Sequence, residues 1–221
     1  MCGTFLYYAI AIDNTILPAL GDISSEQSKA TKNTAKQVAK ILNYLASNPH
    51  AEIQYMESGL QLSIHSDASY LSVSQARSRA SGAHFLSKGP PNPNNTEYFV
   101  PTVNIIVLVV CKIMCKIMAS AAQAKYDTIF VNSQTAVPIC TTLTEIGWKQ
   151  GPTAIQVDNS TLVGITTNEF RQNKSKSMDI RFYWINDRIE QGQFRAFWRP
   201  VPENLGDYHS KHHPSKHHIA V

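Results

Sequence analysis

Three aspartates stand where a short carboxylate can take part in chemistry. Asp67 and Asp158 close stretches that read as β-strands, and Asp207 lies in the helical stretch ENLGDYHSKHH near the C-terminus. Carboxylates gathered from separate elements at one edge of a sheet supply hard oxygen ligands, which suit Mg or Mn ions that keep part of their water shell. Two such ions, about 4 Å apart, activate a water and stabilise the leaving oxygen of an in-line displacement at phosphate. An aspartate at a strand end is equally a turn or cap residue, so spacing alone leaves both readings open.

Charge and the remaining reactive side chains narrow the partner. Between Arg171 and Arg199 seven basic residues face three acidic ones, an excess equal to the +4 of the whole chain. A basic segment invites a polyanion, and the alternative is a solvated face. Five of the eight histidines fall in HSKHHPSKHH, where a proline and the terminal position favour a flexible tail over 214–221. His65 and Asp67 are two apart and point the same way from a strand, with His65 expected to be partly exposed. The four cysteines lack paired zinc spacing and read as reduced thiols of an intracellular protein, cytoplasmic or nuclear. No membrane partner is expected: GTFLYYAIAI lacks a basic leader, and the apolar run 102–119 carries Lys112 and Lys116, costly in a bilayer.

These residues need a scaffold. Residues 24–47 begin with serines and place Val38, Ile41, Leu42 and Leu45 on one side, the pattern of an amphipathic helix with lysines outside. Leu60, Leu62 and Ile64 alternate with polar neighbours and predict a strand over 59–69. A second short strand, SGAHFLS, precedes the proline- and asparagine-rich connection 88–101, and NIIVLVV reads as a central strand. A helix follows from about residue 118, with Pro138 expected to split it. TAIQVDNS is a strand, a short helix starts near Ser160, and residues 178–192 form a helix whose face holds Ile180, Tyr183, Trp184 and Ile189, stopped by Gly192. FRAFWRPV is a last strand. The fold class is α/β, a mixed five-stranded sheet flanked by helices.

Several motifs, taken in order, resemble the ribonuclease H domain of copia-type long-terminal-repeat retrotransposon polyproteins: HSDAS at 65–69, SRASG at 78–82, VDNST at 157–161, KSMDIRFYWI at 176–185 and PENLGDYHSK at 202–211. GTFLYYAIAID and AKQVAKILNYLASNP resemble the helical segment that joins reverse transcriptase to that domain. The resemblance implies a helical connecting segment at 1–58 and a ribonuclease H-like domain at 59–213. It further implies two-metal (Mg or Mn) hydrolysis of the RNA strand of an RNA/DNA hybrid. The Tyr-x-Asp-Asp motif of the polymerase is absent, so a polyprotein fragment is expected, with the rest of a reverse transcriptase as a partner.

Residue by residue, Asp67, Asp158 and Asp207 match three of the family's metal ligands. The fourth is a glutamate in a motif written Ser-Ser-Thr-Glu-Ala-Glu-Tyr, against which this chain has Ser120-Ala121-Ala122-Gln123-Ala124-Lys125-Tyr126. Both glutamates are replaced. The resemblance assigns the lost ligand to Gln123, with Lys125 two residues on and so on a different helix face. Cleavage is then expected to be impaired at least tenfold relative to Gln123→Glu. The alternatives are a catalytically inactive hybrid-binding module and a non-functional remnant. Asn159, Ser160, Lys176 and Arg181 are the expected contacts to the nucleic-acid backbone.

Overall fold

The structure is a computed structural model, described here for residues 2–90, 99–166 and 179–213. Its centre is one five-stranded mixed sheet: β1 (Gln61–Val73), β2 (Arg77–Ser87), β3 (Ile106–Ile113), β4 (Thr153–Val157) and β5 (Phe194–Trp198), in the spatial order β3-β2-β1-β4-β5. β1, β2 and β3 run antiparallel to one another in turn, whereas β4 is parallel to β1 and to β5. Around the sheet lie α4 (Ala121–Glu145), α5 (Ser160–Thr166), α6 (Asp179–Glu190) and α7 (Leu205–Ser210). Ahead of it come α1 (Cys2–Ala11), α2 (Leu17–Glu26) and α3 (Lys32–Ser47). This is the mixed five-stranded sheet flanked by helices that the sequence pattern implied, with a helical lead-in.

Apolar alternation builds the main core. Leu62 and Ile64 of β1, Ile155 and Val157 of β4 and Phe194 of β5 meet Tyr126, Ile129, Ala136 and Leu143 of α4, with Leu162 and Ile185 closing the far side. A second core holds the N-terminal helices to the sheet: Ala9, Ile16, Leu17 and Leu20 pack with Val109 and Cys111 of β3. Asp22 of α2 pairs with the buried Arg79 of β2, and Asn14 Oδ1 lies 3.0 Å from His209 Nε2 of α7.

Five local expectations are corrected. β3 is an edge strand, and its apolar run answers to the helices packed on it rather than to strands on both sides. Pro138 does not split α4: it is on the exposed side of the helix, as is Gln134, whose carbonyl loses its usual donor there. The single helix foreseen over 24–47 is two, because Thr31 caps a new start with Thr34, each hydroxyl accepting the other's backbone N–H. In α6, Ile180 and Tyr183 are 81% and 68% exposed; Phe182, Ile185 and Ile189, at i, i+3 and i+7, form the inner face instead. His65 is not partly exposed but buried between strand and α7. The tail 214–221 lies outside the described residues, and among those described no helix is long and apolar enough to cross a membrane.

Candidate active site

Strand register brings the first two carboxylates together. β1 and β4 are parallel with Ser63 opposite Ala154 and His65 opposite Gln156. Two residues further on, the same register sets Asp67 level with Asp158, a separation of about 5 Å between backbones. Asp158 follows the end of β4 as expected, whereas Asp67 is not at a strand end but midway along β1, which runs on to Val73. Asp67 is 3% exposed, and the Asp158 side chain 9%.

Between them lies an ammonium. Lys125, in the first turns of α4, donates to both Asp158 carboxylate oxygens at 2.5 Å, and its Nζ is 3.2 Å from Asp67 Oδ1. The other Asp67 oxygen, Oδ2, accepts from Ser210 Oγ at 2.8 Å. Burial by itself would lower the lysine's pKa, but the hydrogen bonds and charges of Asp158 and Asp67 together outweigh it and hold the ammonium above its ordinary value. The two carboxylates and the lysine form one closed, charge-assisted cluster.

Gln123 is elsewhere. Its backbone N–H donates to Ser120 Oγ at 3.1 Å, and its Oε1 accepts from the Ala119 N–H at 2.8 Å. Ser-x-x-Gln is thus an N-terminal cap of α4, the two side chains satisfying N–H groups at the helix start that have no intrahelical acceptor. The assignment of the missing ligand to Gln123 is therefore corrected. Positions 123 and 125 do face different ways, and it is Lys125, matching the motif's second glutamate, that turns to the aspartates.

The third aspartate is held close by α7. Gly206 abuts β1 so tightly that a Cβ there would come within 3.0 Å of both Asp67 N and His65 O. Asn204 Nδ2 donates to Ser66 O at 3.0 Å, the Leu205 N–H donates to His65 Nδ1 at 3.1 Å, and Ser81 Oγ donates to Gly206 O at 2.6 Å. Asp207 begins the next step of this docked helix, but its carboxylate pairs with Lys211, one turn on. Burial, with no charge to offset it, pushes the His65 imidazole down to about 4. It is a neutral acceptor for α7.

Of the expected backbone contacts, Ser160 is exposed and Asn159 half-buried in the turn beside Asp158. Arg181 is committed inward: it pairs with the buried Asp127 of α4 and lies 5.5 Å over the Phe130 ring. Lys176 lies outside the described residues. The residues that sequence reasoning missed are Lys125, Ser210 and Asn132. Asn132 is fully buried in α4 and donates to Ser66 Oγ and Ser81 O at 2.9 and 3.1 Å, which the absence of a side chain at Gly82 makes possible.

The donor set does not fit two dications. Among the described residues no group of three or more His, Cys, Asp or Glu side chains is arranged to hold a metal ion. A divalent ion at Asp67 and Asp158 would have to displace an ammonium that already pairs with both, and would then meet it as a like charge.

No protein-family model matches the chain, and no curated protein matches it. Solved structures that resemble it include the N-terminal ribonuclease H domain of a Mycobacterium tuberculosis protein, solved as a fusion with maltose-binding protein: 12% identity, 66% of this chain and 86% of that one, TM-score 0.43. LC11-RNase H1, isolated from compost and solved with an RNA/DNA hybrid, aligns at 8% identity over 66% of this chain and 89% of its own, TM-score 0.47. The protease–reverse transcriptase of prototype foamy virus aligns at 10% identity over 70% of this chain and 21% of its own, TM-score 0.41. Likenesses this distant carry no assignment of activity, which must come from the side chains.

Proposed function

We propose that this chain is a ribonuclease H-like domain from a copia-type retrotransposon polyprotein that binds RNA/DNA hybrid without cleaving it. The supporting observation is Lys125, whose ammonium bridges Asp67 and Asp158 at hydrogen-bonding distance. A fixed monovalent cation occupies the space between the carboxylates, but it offers no open coordination position on which a water could be activated. Binding does not need that chemistry, since phosphate contacts supply most of the affinity for nucleic acid. The net positive charge of the chain favours such a partner.

The test is cleavage of an end-labelled RNA strand in a hybrid, in magnesium and then manganese, for the parent chain beside Lys125→Glu and Gln123→Glu. The parent and Gln123→Glu are expected to leave the RNA intact while both bind the hybrid. Lys125→Glu, which sets a carboxylate between Asp67 and Asp158, is expected to cut at least tenfold faster than the parent. That factor corresponds to about 1.4 kcal/mol of transition-state stabilisation. A parent chain that cuts as fast as Lys125→Glu would sink the proposal.

A further inference from the structure

The arginines expected to carry the nucleic acid are occupied where they are described. Arg181 is held by Asp127, and Arg188 lies over Trp184 and donates to Gln193. Arg195 donates to the Phe99 carbonyl and lies over Phe197, and Arg199 lies 4.0 Å from Glu203. Among the described residues, a row of lysines without such partners lies elsewhere.

That row is on α3. Lys32, Lys36 and Lys40 are spaced four residues apart and are all exposed. At about 100° per residue they fall within an arc of about 80°, with successive lysines about 6 Å apart along the axis. Thr34 and Ile41, the buried residues of the helix, lie on the opposite side. No carboxylate occurs from Gln27 to Ser47. The nearest one, Glu26, accepts the Thr34 hydroxyl at 2.8 Å on the inner side. None of the ion pairs among the described residues involves these lysines. The helix is also anchored: Tyr44 of α3 is 3.1 Å from Thr15, and α2 alongside is tied to the sheet through Asp22 and Arg79.

We infer that the Lys32–Lys36–Lys40 face of α3 is the docking surface for the phosphate backbone of a nucleic acid. A regular row of like charges on a fixed helix, with no carboxylate in the helix itself, is complementary to the regular negative charge of a nucleic-acid strand. This rests on the binding function proposed above, and it names where that binding occurs. Lysine ammonium groups meet phosphates as point charges, so the face recognises the backbone and not the base sequence.

The experiment is a fluorescence-anisotropy titration of labelled hybrid with the full chain between about 50 and 200 mM salt. It compares the parent with the triple variants Lys32→Gln/Lys36→Gln/Lys40→Gln and Lys32→Arg/Lys36→Arg/Lys40→Arg. The glutamine variant should bind at least tenfold more weakly at the lowest salt. The magnitude of its log–log salt slope should drop by about 2 to 3, close to one for each phosphate that is no longer neutralised. The arginine variant should keep both affinity and slope. Far-UV circular dichroism checks that the exposed substitutions leave the fold intact. Parent-like affinity and slope in the glutamine variant would overturn the α3 surface while leaving hybrid binding in place. A parent that does not bind hybrid overturns both. Tighter binding of the parent to anionic phospholipid vesicles than to hybrid would assign the face to a membrane surface and overturn the inference.

Discussion

At Lys125 a single ammonium satisfies three carboxylate oxygens, so its removal leaves Asp67 and Asp158 facing each other without a cation. Lys125→Met should therefore destabilise the fold by roughly 2 to 4 kcal/mol, near the low end for breaking a buried pair because the lysine side chain is one-fifth exposed. Urea denaturation measures this, and the same variant should regain thermal stability on addition of magnesium or calcium whereas the parent should not. A parent that is stabilised as strongly by the divalent ion would contradict the closed cluster. The sequence displayed Asp158 through its position at a strand end, while Asp67 proved to lie midway along β1. It did not display which of positions 123 and 125 faces them, since the rotation of a helix about its own axis is set by packing across the sheet. One local signal was available: Ser120-x-x-Gln123 is a capping signature, which commits Gln123 to the helix end.

Among the elements, α7 shows how a six-residue helix can hold a site in place. It rests on β1 through Gly206, where a methyl group would press on backbone atoms of His65 and Asp67 that have no room to yield. Gly206→Ala is expected to cost about 1 to 3 kcal/mol, the range for overpacking a tight contact. Gly82→Ala should cost at least as much, since its methyl would overlap the buried Asn132 side chain of α4. Thermal melts of the two variants provide the check, and a melting temperature equal to the parent's in either would contradict the described contact. Periodicity made most elements legible, including all five strands and the Gly192 stop, which has a positive φ of 70°. It failed where a tertiary surface decided the outcome. β3 resembled a central strand because helices cover it, and α6 turned Phe182 and Ile185 inward where the amphipathic pattern had favoured Ile180 and Tyr183.

Across the molecule, buried imidazoles link stability to acidity. Burial holds His65 and His209 down to about 4 and lowers His84, each kept neutral between packed elements. An unfolded histidine titrates near 6.5. The unfolded chain therefore binds more protons between those values, and the stability gained from these residues is complete above about pH 6.5 and lost as pH falls toward 4. For His65 or His209 the full shift corresponds to roughly 3 kcal/mol. The unfolding free energy obtained from urea titrations should fall between pH 7 and pH 5 by about 2 kcal/mol for each of His65 and His209, and a flat profile would show that the imidazoles are hydrated. Lys125 acts on the opposite limb: its raised value gives stability that is present below the ordinary lysine range and lost as pH rises through it. The docking of α7 also sets an order of events. Its partners on β1 lie 138 to 143 residues earlier in the chain. During synthesis His65 and Asp67 must wait, uncovered, until the segment from Asn204 to Ser210 has left the ribosome. Contacts this distant in sequence close late and slowly. A nascent chain arrested before Asn204 should thus remain protease-sensitive along β1, while the α4 packing on its other side has already formed.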